Sequence, residues 1–515
     1  MMAPPQYLWA WIFCTFAALG AWLYGYDGVY FTGVSELDVF RRTFGSLQSD
    51  GTYVISPSTL SATTSLINVG ELVGTLSSAP INDFLGRKGG WLIGASLVSV
   101  GVILQVAASS TIATIMGGRV ILGLGVGVFC TTSPLYIAEV APTPIRGPLL
   151  SFWQLTLSIS QIVAAGINRG VSKNDTSFAW RFPTGFQLVF PALIFSAIWF
   201  VPESPRWLVR KGKLSQADKA LRTVHREDKT YDPAEDISTI QRVIEAEKAS
   251  TQGSSWLDLI RNPIERRKVL FSAGALIAQQ INGIQWFYYF GTNFAAAIGL
   301  SDPFLITVIV FIIQLFVVLA ALLLSNRVPR RPLLLTCTSI MMLSIFIVGT
   351  LGIGSDSTYV SPIRGKVIIA FVIIEIVAFN FSWGPLGWTI ASEMAVGPNR
   401  NKIYSIAVAS FWISVFVTVF TLPYLYYTAN LGPKTGFVYT GLCVISLAYV
   451  YFCVGEVTGR SMEEIESFFQ NRIPVKQWKH QPRLTGATPV EVAKAQNDID
   501  DLEKAEHKTE VAHKI

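Results

Sequence analysis

Four charged side chains fall inside long apolar stretches of this chain: Asp27, Glu71, Arg119 and Glu375. A carboxyl in such surroundings can hold a proton or pair with a cation, and a guanidinium is a partner that stays charged. The apolar stretches also carry six glutamines: Gln154, Gln161, Gln279, Gln280, Gln285 and Gln314. Each amide donates and accepts at once, which suits a ligand made of hydroxyls. Gln154 and Gln161, seven apart, lie near one face of a helix. Any one of these glutamines could equally just bond a neighbouring helix; six together are harder to explain that way. No nucleophile–base set and no metal-ligand spacing is present, so no catalytic residue, metal or cofactor is assigned. The five cysteines sit in or beside apolar runs and read as small packing residues. The four histidines lie outside those runs.

The elements that must hold these groups follow from composition. The chain has 515 residues, 51% hydrophobic and 14% charged, against about 25% charged in soluble domains. A disordered protein, a nucleic-acid binder and an ordinary soluble enzyme are excluded. The net charge of +6 sits in loops and the tail rather than in a basic stripe. Apolar runs long enough to span a bilayer fall near 8–30, 58–80, 91–109, 112–135, 148–168 and 184–201. They resume at 269–293, 303–325, 333–353, 366–390, 403–428 and 435–454. The expected class is an all-α membrane protein with twelve transmembrane helices in two six-helix bundles. The expected domains are 1–205, a cytoplasmic helical linker at 206–267, 268–455, and a polar cytoplasmic tail at 456–515 with a short helix near 461–469. No Lys or Arg precedes Arg41, so the first run reads as a permanent span, not a cleaved signal. Gly70-x-x-x-Gly74 and Gly123-x-Gly125-x-Gly127 would let helices approach closely.

The halves repeat. Asp83…Gly86-Arg87-Lys88 parallels Asn326…Pro329-Arg330-Arg331, and Glu139…Arg146 parallels Glu393…Arg400, each at a constant offset. Duplicated halves are the mark of a secondary transporter whose site lies between them. Positive charge in the short loops balances on the two sides; insert and tail place both termini in the cytoplasm. Asn174-Asp-Thr176 is then an external glycosylation acceptor or an unused sequon.

Further motifs carry a resemblance. They are Gly25-Tyr26-Asp27, Gly118-Arg119, Pro134-x-Tyr136-x-x-Glu139-x-x-Pro142-x-x-x-Arg146-Gly147, Pro202-Glu-Ser-Pro-Arg-Trp207, Gln279-Gln280-x-x-Gly283 and Trp383-Gly-Pro385-x-x-Trp388. With these the chain resembles the sugar porter family of the major facilitator superfamily, over nearly everything up to about Phe469, and its fungal members most.

The resemblance implies a pseudo-symmetric major facilitator fold and secondary active import of a monosaccharide, hexose or pentose, by alternating access with proton symport. Alternatives are a facilitative uniporter, a non-transporting sensor, and a uronic acid or polyol carrier. Asp27 resembles the family's proton-binding acid and Arg119 its partner. Glu71 is a second proton site or a lone neutral acid, and Glu375 is expected near the membrane edge or paired locally. The six amides match sugar contacts, with Trp388 as aromatic plate. Arg87, Glu139, Arg146, Glu203 and Arg206, with Arg330, Glu393, Arg400 and Glu456, form a gate that pairs when the inner side closes. Tyr289 and Phe290 form an outer lid, and lipid-facing rings are the alternative. The implied partners are sugar, protons and the lipid bilayer, without nucleic acid, for a monomer in the plasma membrane. Departures from the family pattern are Asn326, Pro329, Gly455-Glu456-Val457, Gln285, Gln314 and Phe411. The departures in the gate loop imply a looser C-terminal gate.

Overall fold

A computed structural model describes residues 7–49, 51–228, 230–251, 255–324, 328–353, 361–458 and 460–481. Apolar runs long enough to cross a bilayer cannot leave backbone unpaired in lipid, so they fold as helices. The first span is Leu8–Ala17 continued by Leu19–Val34. Next comes a loop carrying a short helix, Asp38–Phe44, and a two-stranded antiparallel hairpin, Ser46–Leu47 with Tyr53–Val54.

The helix Pro57–Ala107 holds the second and third spans together. Its 51 residues would run about 76 Å if straight, far more than one bilayer. It reverses at Gly86, whose φ of 79° and ψ of −178° are not helical and favour a residue without Cβ. Packing shows the reversal. Gly70 and Gly74 lie against Val120 and Leu124, while Gly101 and Gly94 lie against the same stretch of Ile112–Val140. A Cβ added to Gly74 would sit 2.1 Å from the Leu124 carbonyl oxygen, and one on Gly127 2.3 Å from that of Glu71. The small-residue motifs therefore set the distance between the second and fourth spans.

Thr143–Val171 is the fifth span and 178–200 the sixth, broken around Gln187. In the second half the seventh span breaks at Gly283, φ 102°, between Pro263–Ile281 and Ile284–Ala297. Pro303–Leu324 and Arg330–Leu351 follow. The tenth breaks at Ser382, between Pro362–Phe381 and Trp383–Met394. Arg400–Pro423, continued by Tyr424–Thr428, and Thr435–Cys453 complete twelve spans. Each half has its own core: one built on Trp91, Phe129 and Tyr136, the other on Trp286, Trp383 and Trp412. Large apolar side chains such as Phe316 and Leu323 stay exposed on the outer surface, as lipid contact requires. The halves meet along spans one and seven, two and eleven, and five and eight.

The insert folds as the expected short helices, Pro205–Arg210, Leu214–Val224, Pro233–Thr251 and Asp258–Arg261, with a small core around Trp207, Ala217 and Ile244. The expected tail helix is present as Met462–Gln470, opened by a capping box from Ser461 and Glu464. This segment packs on the second half. Ile465, Phe468, Phe469 and Trp478 are buried in the second half's core. Asn326, Arg327 and the charged stretch 497–514 lie outside the described residues.

Substitution at the glycine seam is expected to be severe. Gly74→Leu must displace backbone, and overpacking costs typically about 1–3 kcal/mol or more. Gly117→Ala, where an added Cβ meets nothing within 4 Å, is expected within about 0.5 kcal/mol of wild type. Thermal unfolding of the two purified variants in detergent checks this, and equal melting of both refutes it.

Candidate functional site

The first half gathers the buried charge. Asp27 on span one and Arg119 on span four are 2% and 0% exposed, and their nearest charged atoms, Asp27 Oδ1 and Arg119 Nη1, are 3.7 Å apart. At that distance they attract without a hydrogen bond. The bond from Arg119 Nη1 goes instead to the Tyr30 hydroxyl at 3.1 Å. That hydroxyl in turn donates to Gln105 Oε1 at 2.8 Å. The guanidinium carbon lies 4.3 Å from the Phe31 ring centroid, a cation–π contact. Asp27 Oδ1, Arg119 Nε and Arg119 Nη2 have no hydrogen-bond partner. Glu71 is buried, with Oε2 unpartnered, and lies within electrostatic reach of both Asp27 and Arg119. Glu375 is not at an edge and not paired, contrary to expectation. It sits in the body of the tenth span, 0% exposed, with neither oxygen bonded.

The second half gathers amides. Gln279 Nε2 donates to the Trp383 carbonyl at 2.7 Å, where span ten breaks. Gln280 Nε2 donates to Gln279 Oε1 at 3.2 Å, and Gln285 Nε2 donates to Gln280 Oε1. The three thus form one chain across the Gly283 break. Gln314 Nε2 donates to Gln161 Oε1 at 2.7 Å and so links the halves. Gln285 Oε1 and Gln314 Oε1 are left unpartnered. Gln154 stands apart from these bonds and is half-buried. Trp388 is half-buried and tilted on Phe411, centroids 4.8 Å apart. Trp383 is wholly buried, donating to Thr338 Oγ1 at 2.7 Å. Trp412 packs edge-on to Tyr24 across the halves.

Further links between the halves lie from the middle toward the face opposite the insert. The Tyr289 hydroxyl donates to Asn68 Oδ1 at 3.2 Å, one turn from Glu71. Asn293 Oδ1 accepts from Thr32 at 3.2 Å and Ser35 at 3.3 Å, and its Nδ2 donates to Glu36. Arg169 pairs with Asp302 at 2.9 Å. Burial pushes the Glu36 carboxyl above the usual glutamate range, although the Arg41 guanidinium and the Asn293 amide pull it back. Tyr289 and Phe290 are buried rather than lipid-facing, Phe290 at a second break in the seventh span. Asn174 is exposed on this same face; its Oδ1 accepts from Thr176 at 2.6 Å, and its neighbour Asp175 pairs with Arg42 at 3.7 Å.

At the insert face the gate residues pair inside each half. Arg87 donates to Glu139 at 2.7 Å, while Glu203 accepts from the backbone N–H groups of Arg87 and Lys88 at 3.0 and 3.2 Å. Arg330 donates to Glu393, while Glu456 accepts from the N–H groups of Arg330 and Arg331 at 3.3 and 3.1 Å. Burial pushes the Glu203 carboxyl up too, countered by the N–H groups it accepts. Arg206 pairs with Glu247 of the insert, Arg146 donates to the Ala141 carbonyl, and Arg400 is exposed. Among the described residues no side-chain hydrogen bond or ion pair joins the halves on this face.

Sequence reasoning missed Tyr30, Gln105, Asn68 and Asn293. Each is a polar residue in an apolar run, the same signal that picked out the glutamines.

The chain matches the family model "Sugar (and other) transporter" over residues 13–469. It is 29% identical to the hexose transporter HXT10 of Saccharomyces cerevisiae, over 93% of this chain and 89% of that one. It is 30% identical to the low-affinity glucose transporter HXT4 of the same species, over 90% and 81%. It is 29% identical to that species' high glucose sensor RGT2, of which the match covers 62%. In fold it is similar to the xylose transporter XylE of E. coli in a partially occluded inward open conformation. There the TM-score is 0.73, with 24% identity over 88% of this chain and 99% of that one. A duplicated twelve-span fold with its polar groups between the halves, matched along nearly its whole length, makes this chain a multi-pass membrane transporter of the sugar porter family, within the major facilitator superfamily.

Proposed function

We propose that this transporter imports a monosaccharide, hexose or pentose, across the plasma membrane by alternating access coupled to a proton. In this reading both termini and the insert are cytoplasmic, and the links at the opposite face close the outer side. The observation that carries the coupling is the buried Asp27–Arg119 pair, 3.7 Å apart and sharing no hydrogen bond.

Ionised Asp27 attracts the guanidinium and draws it from Tyr30. A proton on Asp27 cancels that attraction and leaves Arg119 bonded to Tyr30, whose hydroxyl donates to Gln105, as seen here. Span one moves with Asp27, and it is tied to span seven through Asn293. Proton occupancy is thereby coupled to the seam between the halves. A sugar entering the seam exchanges its hydroxyls for the Gln161–Gln314 bond and fills the unpartnered acceptors of Gln285 and Gln314. Trp388 offers a face to sugar C–H groups. The inner gate carboxylates cap helix starts within each half and hold the two halves as rigid bodies. A charge carried inward with the sugar gains about 2.3 kcal/mol per 100 mV of membrane potential. The second reading is facilitated diffusion, with the ion pair only structural. It is favoured by Arg119 already having Tyr30 as a partner.

Asp27→Asn in proteoliposomes separates the readings. The variant is expected to lose concentrative uptake and keep sugar exchange. Concentration that survives the substitution passes the coupling role to Glu71. A wild type that never concentrates sugar, with or without a protonophore, establishes the uniporter.

The outer links give a separate test. Asn293→Ala removes bonds to Thr32, Ser35 and Glu36 at once. A buried hydrogen bond to a charged group is worth about 1.5–3 kcal/mol, so the outward-open population is expected to rise at least about tenfold. The reporter is Leu60→Cys, at a first-half position buried in the second half's core. Its labelling by an impermeant maleimide from outside should speed up by that factor; an unchanged rate refutes the latch.

A further inference from the structure

Glu375 is the buried acid that the mechanism above leaves unused. It lies in Pro362–Phe381, two turns from that helix's end at the Ser382 break. Its apolar neighbours along the helix, Val372, Ile376 and Phe379, are buried too. Neither carboxyl oxygen has a hydrogen-bond partner, and among the described residues no cation pairs with it. A bare carboxylate is not stable in such a place, so the group is carried in this conformation as the neutral acid. A leucine would fill the position without leaving polar atoms unpaired. The acid is therefore an expense that packing does not explain.

Its surroundings suggest a use. The titratable groups within electrostatic reach of it are Tyr288 on span seven and Cys443 on span twelve. Cys443 Sγ lies 3.4 Å from the carbonyl of Asn282, the residue before the Gly283 break, and Asn282 Nδ2 is itself unpartnered. Tyr288 is half-buried. Its hydroxyl is 3.2 and 2.9 Å from the two amide atoms of Asn380, which lies five residues along the helix from Glu375. Thus the acid lies two turns from the break in span ten, the Tyr288 hydroxyl is bonded within a turn of that break, and an unsatisfied amide sits at the break in span seven. Movement of Ile284–Ala297 about Gly283 changes what surrounds the carboxyl, and Tyr288, bonded to Asn380 of the same helix as Glu375, moves with that segment.

We propose that Glu375 is a proton-binding site in the second half, loaded and unloaded once per transport cycle through Tyr288. It adds a second translocated proton to the one on Asp27. The inference rests on proton-coupled transport, and the measurement separates the two. Purified protein in proteoliposomes takes up radiolabelled D-glucose or D-xylose while proton entry is measured in parallel. The wild type is expected to carry about two protons per sugar, Glu375→Gln about one, and Glu375→Asp two. Each proton lost lowers the steady-state accumulation ratio about tenfold for every ~59 mV of driving force. One proton per sugar in the wild type, or the same ratio in wild type and Glu375→Gln, overturns the inference and leaves symport through Asp27 standing. No proton movement in the wild type overturns both. A wild-type ratio of one overturns the inference even if the glutamine variant fails to fold. With a ratio of two, Glu71→Gln is expected to keep two, and a fall to one there assigns the second proton to Glu71 and overturns the inference.

Discussion

Everything in the first half is arranged around the difficulty of keeping a charge in an apolar interior. An isolated ion there is prohibitive, so each must be paired, neutralised or reachable by water. Arg119 meets this condition with Asp27 near it, Tyr30 bonded to it and the Phe31 ring against it. Two of its nitrogens remain unsatisfied all the same. A fully satisfied guanidinium would be a fixed strut. One short of partners holds more weakly to any single arrangement, which is what a group that must change partners requires.

The glycine seam is the structural condition for this. Arg119 and Glu71 stand near Asp27 because spans two and four approach until carbonyl oxygens would touch an added Cβ. The second half carries amides instead, and both sets converge on the interface through Tyr289–Asn68 and Gln314–Gln161. In the proposed cycle the proton on Asp27 is read in the first half, while the hydroxyl-binding amides lie mostly in the second, with Gln161 facing them from the first. The few cross-links near the middle are the route between the two tasks.

Much of this was legible in the sequence, for physical reasons. Spans are legible because a bilayer demands about twenty apolar residues in a row. Intramembrane charges and amides stand out against that background. Three kinds of fact were not legible. The segment 462–481 reads as polar, yet Ile465, Phe468, Phe469 and Trp478 make it part of the core, because four well-placed apolar side chains outweigh many exposed charges. The lack of a partner for Glu375 was not legible because hydropathy locates a span and not the rotation of its helix, which decides what a side chain meets. Whether gate charges pair within or across halves depends on which face is open, and a sequence encodes every state of the cycle at once.

The gate shows how far a repeated motif constrains geometry. In the first half the turn before Arg87 uses Gly86 at φ 79°. In the second half its counterpart is Pro329 at φ −60°, a value the pyrrolidine ring enforces. The two turns cannot be the same. Nevertheless Glu456 accepts from two successive N–H groups just as Glu203 does, and Arg330 reaches Glu393 as Arg87 reaches Glu139. Pro329 does not cost the second gate this pairing, although the Arg330–Glu393 pair is the more exposed of the two. What the repeat preserves is a carboxylate at the start of a helix, where free N–H groups and the dipole favour negative charge. That need can be met by more than one backbone path, so loss of the glycine leaves the pairing intact.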